Sequence, residues 1–384
     1  GDITVHGTNN VEAANDVSLV SNTRTGADAT GHISLSGNIT ADDVAGTVSL
    51  IAEKSITGVG TITASAVDLV AGTAIGGSGA AVNTDTGNLS AVTTISGDVH
   101  LSNIGDTTID STGIDAAGTD YGITAGSFNL VNAGDLTIHG TNNLEATNDI
   151  SLIADAGGIH LSGTTTADVT GGSVRLIADA SITGAQTITA ATVDLVAGTG
   201  IGDNSDNRVS TATGDLSAVT TVSGDVYLSN AGDTIVDTTG TDADSIGYTT
   251  TAGGFYHDND GVLTVGSNGI ETVGGNVDVS ATAGSGITVD GNVTAGGAGS
   301  TLSLIGTGIT LSAGTTVETN GGGMEVNART GALTFLTETT SEYVYPWCQA
   351  SWCPKNDVYT YATLGSGTGN IDITADSFHS GAAA

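Results

Sequence analysis

The chain has 384 residues, with 59 Gly, 2 Pro, 41 Asp+Glu and 6 Lys+Arg, and a formal net charge of −35. That charge argues against nucleic acid and anionic membranes as partners, because both attract basic patches. Aromatic residues are 4% of the chain and hydrophobic residues 38%, a balance that excludes disorder and a thick aromatic core and leaves a thin aliphatic interior.

Residues 1–11, GDITVHGTNNV, return at 134–144 as GDLTIHGTNNL. The likeness continues: Ile33–Leu35 matches Ile159–Leu161, Val48–Leu50 matches Val174–Leu176, and GNLSAVTTISGDVHLSN (87–103) matches GDLSAVTTVSGDVYLSN (214–230). The offset falls from 133 to 126 and then settles at 127. Self-similarity on this scale predicts stacked units along an axis instead of one closed core. The expected divisions are copy 1 at 1–133, copy 2 at 134–260, a degenerate third copy at 261–340, an insertion at 341–362 and a terminal coil at 363–384.

Within each copy, apolar pairs such as Ile3/Val5, Val17/Leu19, Ile33/Leu35, Val48/Leu50 and Val67/Leu69 are separated by one residue. This period of two, bounded by Gly, Asn, Asp, Ser and Thr, predicts short half-buried strands. No stretch keeps a helical stripe, so the expected class is all-β. Successive pairs at 17, 33, 48 and 67 start 15–19 residues apart, and Gly-Asp-[Val/Ile/Leu] recurs at strand starts. The spacing predicts a parallel β-helix (β-solenoid) with two or three strands per coil, ~20 residues per coil and ~19 coils. Crossovers between parallel strands favour the right-handed form. No apolar run approaches the ~20 residues that span a bilayer. The chain opens in mid-pattern with no leader and no polar capping coil, and reads as an excised segment or one whose ends stack on neighbours.

The pattern breaks at 341–362, SEYVYPWCQASWCPKNDVYTYA, expected to be an aromatic hairpin. It holds both cysteines, Cys348 and Cys353, whose natural pairing in an oxidising compartment is a disulfide across the tip. A zinc site lacks further ligands nearby. Tyr343, Tyr345, Trp347, Trp352, Tyr359 and Tyr361 form the candidate patch for a partner subunit or a glycan, and the alternative is a local staple. Asp258 and Asp260 resemble the tail of a calcium loop, and Asp203 and Asp206 lie in GDNSDN (202–207); each stretch also reads as an ordinary turn. No other cofactor is expected. His6 and His139 take equivalent outward positions, and Asn38, Asn88 and Asn292 sit in N-x-[ST] triplets.

The repeated Gly-Asp-[Val/Ile/Leu]-x-[Leu/Val] signature with Ser, Thr and Asn turns resembles the shaft of filamentous-haemagglutinin-like bacterial exoproteins, over 1–340 and 363–384. The resemblance also extends to β-strand-repeat segments of autotransporter-like and S-layer-associated proteins. It implies an extracellular or cell-surface fibre, sheath or adhesin stalk, associating with its own copies or flanking repeats. Such shafts usually avoid cysteine, and the family's N-terminal secretion domain does not appear in this chain.

Two other classes compete. A β-helical polysaccharide-degrading enzyme needs convergent carboxylates, often with basic partners, whereas Arg24, Lys54, Arg175, Arg208, Arg329 and Lys355 are scattered. The expectation is no enzyme. A passive surface for ice or glycan needs threonine rows aligned over many coils, of which Thr61-Ile62-Thr63 and Thr187-Ile188-Thr189 are fragments.

Overall fold

The computed structural model describes the chain apart from residues 8–9, 22–30, 43, 111–123, 141–142, 283, 344–354, 376 and 383–384. Among the described residues every regular element is a β-strand, and nearly all strand pairs are parallel. The protein is a β-solenoid of about 12 turns. It packs as two compact units, Gly1–Thr213 with Thr241–Ile246, and Gly214–Gly240 with Gly247–Ala384. The sequence copies are a different division, since residues 133 and 134 both lie inside the first unit.

In the first unit one ladder climbs through Ile3, Ile33, Ile56, Ile75, Val99, Phe128, Ile150, Val174 and Val193. A second climbs through Val17, Val48, Val67 and Leu89. Apart from the half-buried Ile3 at the end of the first, these side chains are almost wholly buried. Each inward aliphatic sits on its counterpart one winding below, so burial of ~1.5–3 kcal/mol per large side chain is repeated at every rung. Outward neighbours such as Ser34, Ser49 and Ser151 keep the alternation that the sequence displays.

Coil length departs from expectation. Rungs of the first ladder are 19 to 30 residues apart, so the windings are fewer and wider than ~20 residues each would give. The cause is specific. Val17 stacks on Val48, whereas Ile33 stacks on Ile3, so the apolar pairs at 17 and 33 occupy different walls of one winding.

A second consequence was not visible in the sequence. Ile3–Val5 lies on the ladder that later carries Phe128–Asn132, but its repeat equivalent, Leu136–Ile138, lies on the other ladder, above Thr107–Ile109. Copy 1 therefore occupies five windings and part of a sixth, and copy 2 begins on a different wall.

The Gly-Asp motif has a structural explanation. The aspartate at a strand start accepts a backbone N–H from the next winding. Asp2 Oδ1 takes those of Gly31 (2.8 Å) and His32 (3.0 Å), Asp98 that of Ser127 (2.8 Å), Asp106 that of Asp135 (2.9 Å) and Asp149 that of Ser173 (2.8 Å). In the second unit Asp225 takes Gly254 (2.7 Å) and Asp233 takes Val262 (2.8 Å). Part of the acidic charge thus stitches windings together. At Asp2 the His32 and Gly31 N–H groups hold the carboxyl below its ordinary range.

Inside the walls asparagines also stack. Buried Asn103 donates from Nδ2 to Asn132 Oδ1 (2.9 Å), and Asn230 donates to Asn259 Oδ1 (3.1 Å) in the second unit. Each pair satisfies buried amides that would otherwise be costly.

The second unit repeats the arrangement through Val226, Phe255, Val277, Leu302, Met324 and Ile371. The long step from Met324 to Ile371 contains the insertion. Strand Ala332–Tyr343 starts as a rung, with Leu333 beside Ile309 and Phe378, and then leaves the winding. From Thr337 it pairs antiparallel with Lys355–Tyr361, so the expected hairpin is present and begins four residues before 341.

Candidate functional site

The expected aromatic patch is only partly described. Backbone pairing sets Tyr343 opposite Lys355, Tyr359 opposite Thr339 and Tyr361 opposite Thr337. Tyr345, Trp347, Cys348, Trp352 and Cys353 lie outside the described residues, and with them the disulfide.

The calcium candidates fall in two settings. Asp258 and Asp260 lie on strand Phe255–Asp260, not in a loop: Asn259 points inward, and Ser280 Oγ and Thr282 Oγ1 donate to the two carboxylates at 2.6 and 3.0 Å. Asp203 and Asp206 flank a turn in which Asn204 Oδ1 accepts the N–H of Asp206 (2.8 Å) and of Asn207 (3.2 Å). The turn is an excursion between Ile201 and Val209, matching Gly76–Ala81 between Ile75 and Val82. Among the described residues no group of three or more His, Cys, Asp or Glu is placed to hold a metal ion.

The threonine fragments build pairs but no longer row: Thr63 pairs with Thr40 on one side and Asp85 on the other, and Thr189 with Thr166 and Ala212, while Thr61 pairs with Asn83 and Thr187 with Ser210. A row unforeseen in the sequence does align in the second unit, through Thr264, Thr288, Thr310 and Thr334. Tyr227 and Tyr256, also on adjacent rungs, stack at 4.7 Å between ring centroids, with Tyr227 Oη donating to Asp225 and Asn276 donating to Tyr256 Oη.

A concavity among the described residues lies on the first unit's wall, where Leu136–Ile138, Ile159–Leu161 and Ser181–Thr183 stack. This groove of about 230 Å³ is lined by Asp135, Thr137, Gly158, His160, Ser181 and Thr183, with Leu136 and Ile159 beneath. Asp135 is held through its backbone on two sides and through its carboxylate on one. Asp106 accepts the Asp135 N–H, Asn132 Nδ2 donates to the Asp135 carbonyl (2.9 Å), and the Gly158 N–H donates to Asp135 Oδ1 (2.8 Å). Opposite, the His160 Nδ1 and Thr183 Oγ1 atoms are 3.0 Å apart and share one hydrogen bond.

Glycine lets the windings approach closely at the groove. A Cβ on Gly158 would stand 2.8 Å from the Ser181 carbonyl oxygen, and one on Gly157 would stand 2.5 Å from the Asp135 nitrogen. Copy 1 carries His32 where copy 2 has Gly158, and His32 Nδ1 lies 2.7 Å from Ser55 Oγ, the counterpart of Ser181. The equivalent space in copy 1 therefore holds an imidazole. The Gly-for-His difference is visible in the aligned copies, but its meaning depends on knowing which windings stack.

No protein-family model, curated protein or solved structure matches this chain.

Proposed function

We propose that the protein is an extracellular structural element, the β-solenoid segment of a fibre, sheath or adhesin stalk at a cell surface. The observation that carries this reading is the in-register stacking of inward aliphatics with aspartate stitches between windings. That construction lets windings be added one on another from simple sequence. A parallel ladder can be continued by another copy or by flanking repeats, so self-association belongs to the proposal. The formal charge of −35 keeps neighbouring columns apart until cations screen or bridge them.

The reading assigns no catalytic role. Surface labelling of intact producing cells, followed by electron microscopy of the native material, tests it. Labelled filaments or stalks at the surface support it, and protein confined to the cell interior overturns it. A second reading, an adhesin that binds glycan through 343–361, is favoured by one observation: strand Ala332–Tyr343 leaves the winding to form a hairpin. Loss of cell adhesion on replacing Trp347 and Trp352 by alanine is its test.

A further inference from the structure

We infer that the groove at Gly158 is a carbohydrate subsite that takes one neutral hexose unit of a glycan. The inference stands apart from the structural role proposed above, which survives its failure.

The lining selects the chemistry. Asp135, His160, Ser181, Thr183 and Thr137 give a carboxylate, an imidazole and three hydroxyls over the backbone at Leu136, Gly158 and Ile159, the Leu136 and Ile159 side chains facing the interior, with no Lys or Arg in the lining. An anionic ligand meets the Asp135 carboxylate and a chain of net charge −35, so phosphate, sulfate and uronate are disfavoured. An apolar ligand would strand the polar lining without partners. A sugar ring answers both requirements: it is neutral, and its hydroxyls donate to Asp135 Oδ2 and exchange hydrogen bonds with Ser181, Thr183 and His160.

Size agrees. The groove of about 230 Å³ is smaller than the ~300–1,000 Å³ sites that enclose drug-sized ligands, and so suits one ring. Pre-organisation agrees as well, because Asp106, Asn132 and Gly158 already fix Asp135. The outward row Thr108, Thr137, His160, Thr183 runs along the wall on consecutive rungs, so Thr108 gives a further hydroxyl to a sugar on one side of the bound ring. In copy 1 the corresponding hollow is occupied by His32, so a single subsite is expected from this pair of walls.

The test is titration of the full chain with glucose, galactose, mannose and their linear neutral oligomers, followed by calorimetry and by NMR of the His160 ring protons. Saturable binding that shifts the His160 signals is expected. His160→Ser, which restores the residue of copy 1 at that position (Ser34), and the isosteric Thr183→Val should each weaken it about fivefold. Thermal unfolding should be unchanged in both variants, which separates a lost contact from a lost fold. Absence of saturable binding across the panel, or binding that neither substitution alters, overturns the inference.

Discussion

Replacing Leu176 with alanine probes the ladder at its most constrained point. Leu176 is fully buried, with Leu152 on the rung below and Leu195 on the rung above. Removing three carbons forfeits roughly 2.4 kcal/mol of transfer free energy, at about 0.8 kcal/mol each. The neighbouring leucines cannot close the gap, because backbone ladders hold successive strands ~4.8 Å apart. The cavity therefore persists and moves the cost towards the upper half of the known range for buried leucines, ~3–4 kcal/mol. Ser151→Ala, an outward change on strand Ile150–Ala154 beside Arg175, should stay within ~0.5 kcal/mol. Urea unfolding with hydrogen exchange over 150–154, 173–178 and 192–197 measures both, and exchange localises the effect where a repeat chain unfolds in parts. A loss below ~1 kcal/mol for Leu176→Ala, or equal losses for the two variants, would refute the reasoning.

Asp149→Ala removes the acceptor of both the Ser173 N–H and Ser173 Oγ and should cost ~1 kcal/mol, with Asp149→Asn retaining most of it, by the same urea assay. Burial and the neighbouring Asp237 raise the Asp215 carboxyl above its ordinary value, so its ionised form opposes folding at neutral pH. Asp215→Asn, the residue copy 1 carries as Asn88, should add a few tenths of a kcal/mol at pH ~7, discounted for solvent screening. The gain should fall away as pH drops through the raised folded value and vanish below the ~3.9 of an unfolded aspartate, where Asp215 is protonated in both states, and a gain constant across a pH series of melts would contradict this. His257 is fully buried between Leu228 and Val279, where copy 1 has Leu130 between Leu101 and Leu152. His257→Leu should raise the thermal midpoint at neutral pH, and a lowered midpoint would show that the imidazole stabilises its winding.

Much of the fold was legible because inward positions hold Val, Ile and Leu with strict alternation. Val48/Leu50 and Val67/Leu69 are adjacent rungs in the structure, as their pattern suggests. Winding length was not legible, because alternation reports which face of a strand is buried and not which wall the strand belongs to. The pairs at 17 and 33 look alike in sequence yet stack on different partners. Asn103 and Asn132 read as turn residues, and only stacking turns them into an internal amide ladder. The hairpin was visible through its Tyr and Val alternation, but its first residues, Thr337–Thr340, resemble any other strand of the chain. The groove was the least accessible feature. It depends on the close approach that Gly158 allows and on the contact of three windings that sequence separation conceals.

Cysteine trapping tests the register of the ladders most directly, in a background where Cys348 and Cys353 are serine. Thr288 and Thr310 are rung partners facing outward, and Thr334 lies one winding further on. Cysteines at 288 and 310 place their Cα atoms within the 4.4–6.8 Å that a disulfide spans, whereas cysteines at 288 and 334 stand ~10 Å apart. Mild oxidation should close the first pair rapidly within one chain and leave the second open. Ready closure of the 288–334 pair, or failure of the 288–310 pair, would contradict the stacked windings on which the proposed function depends.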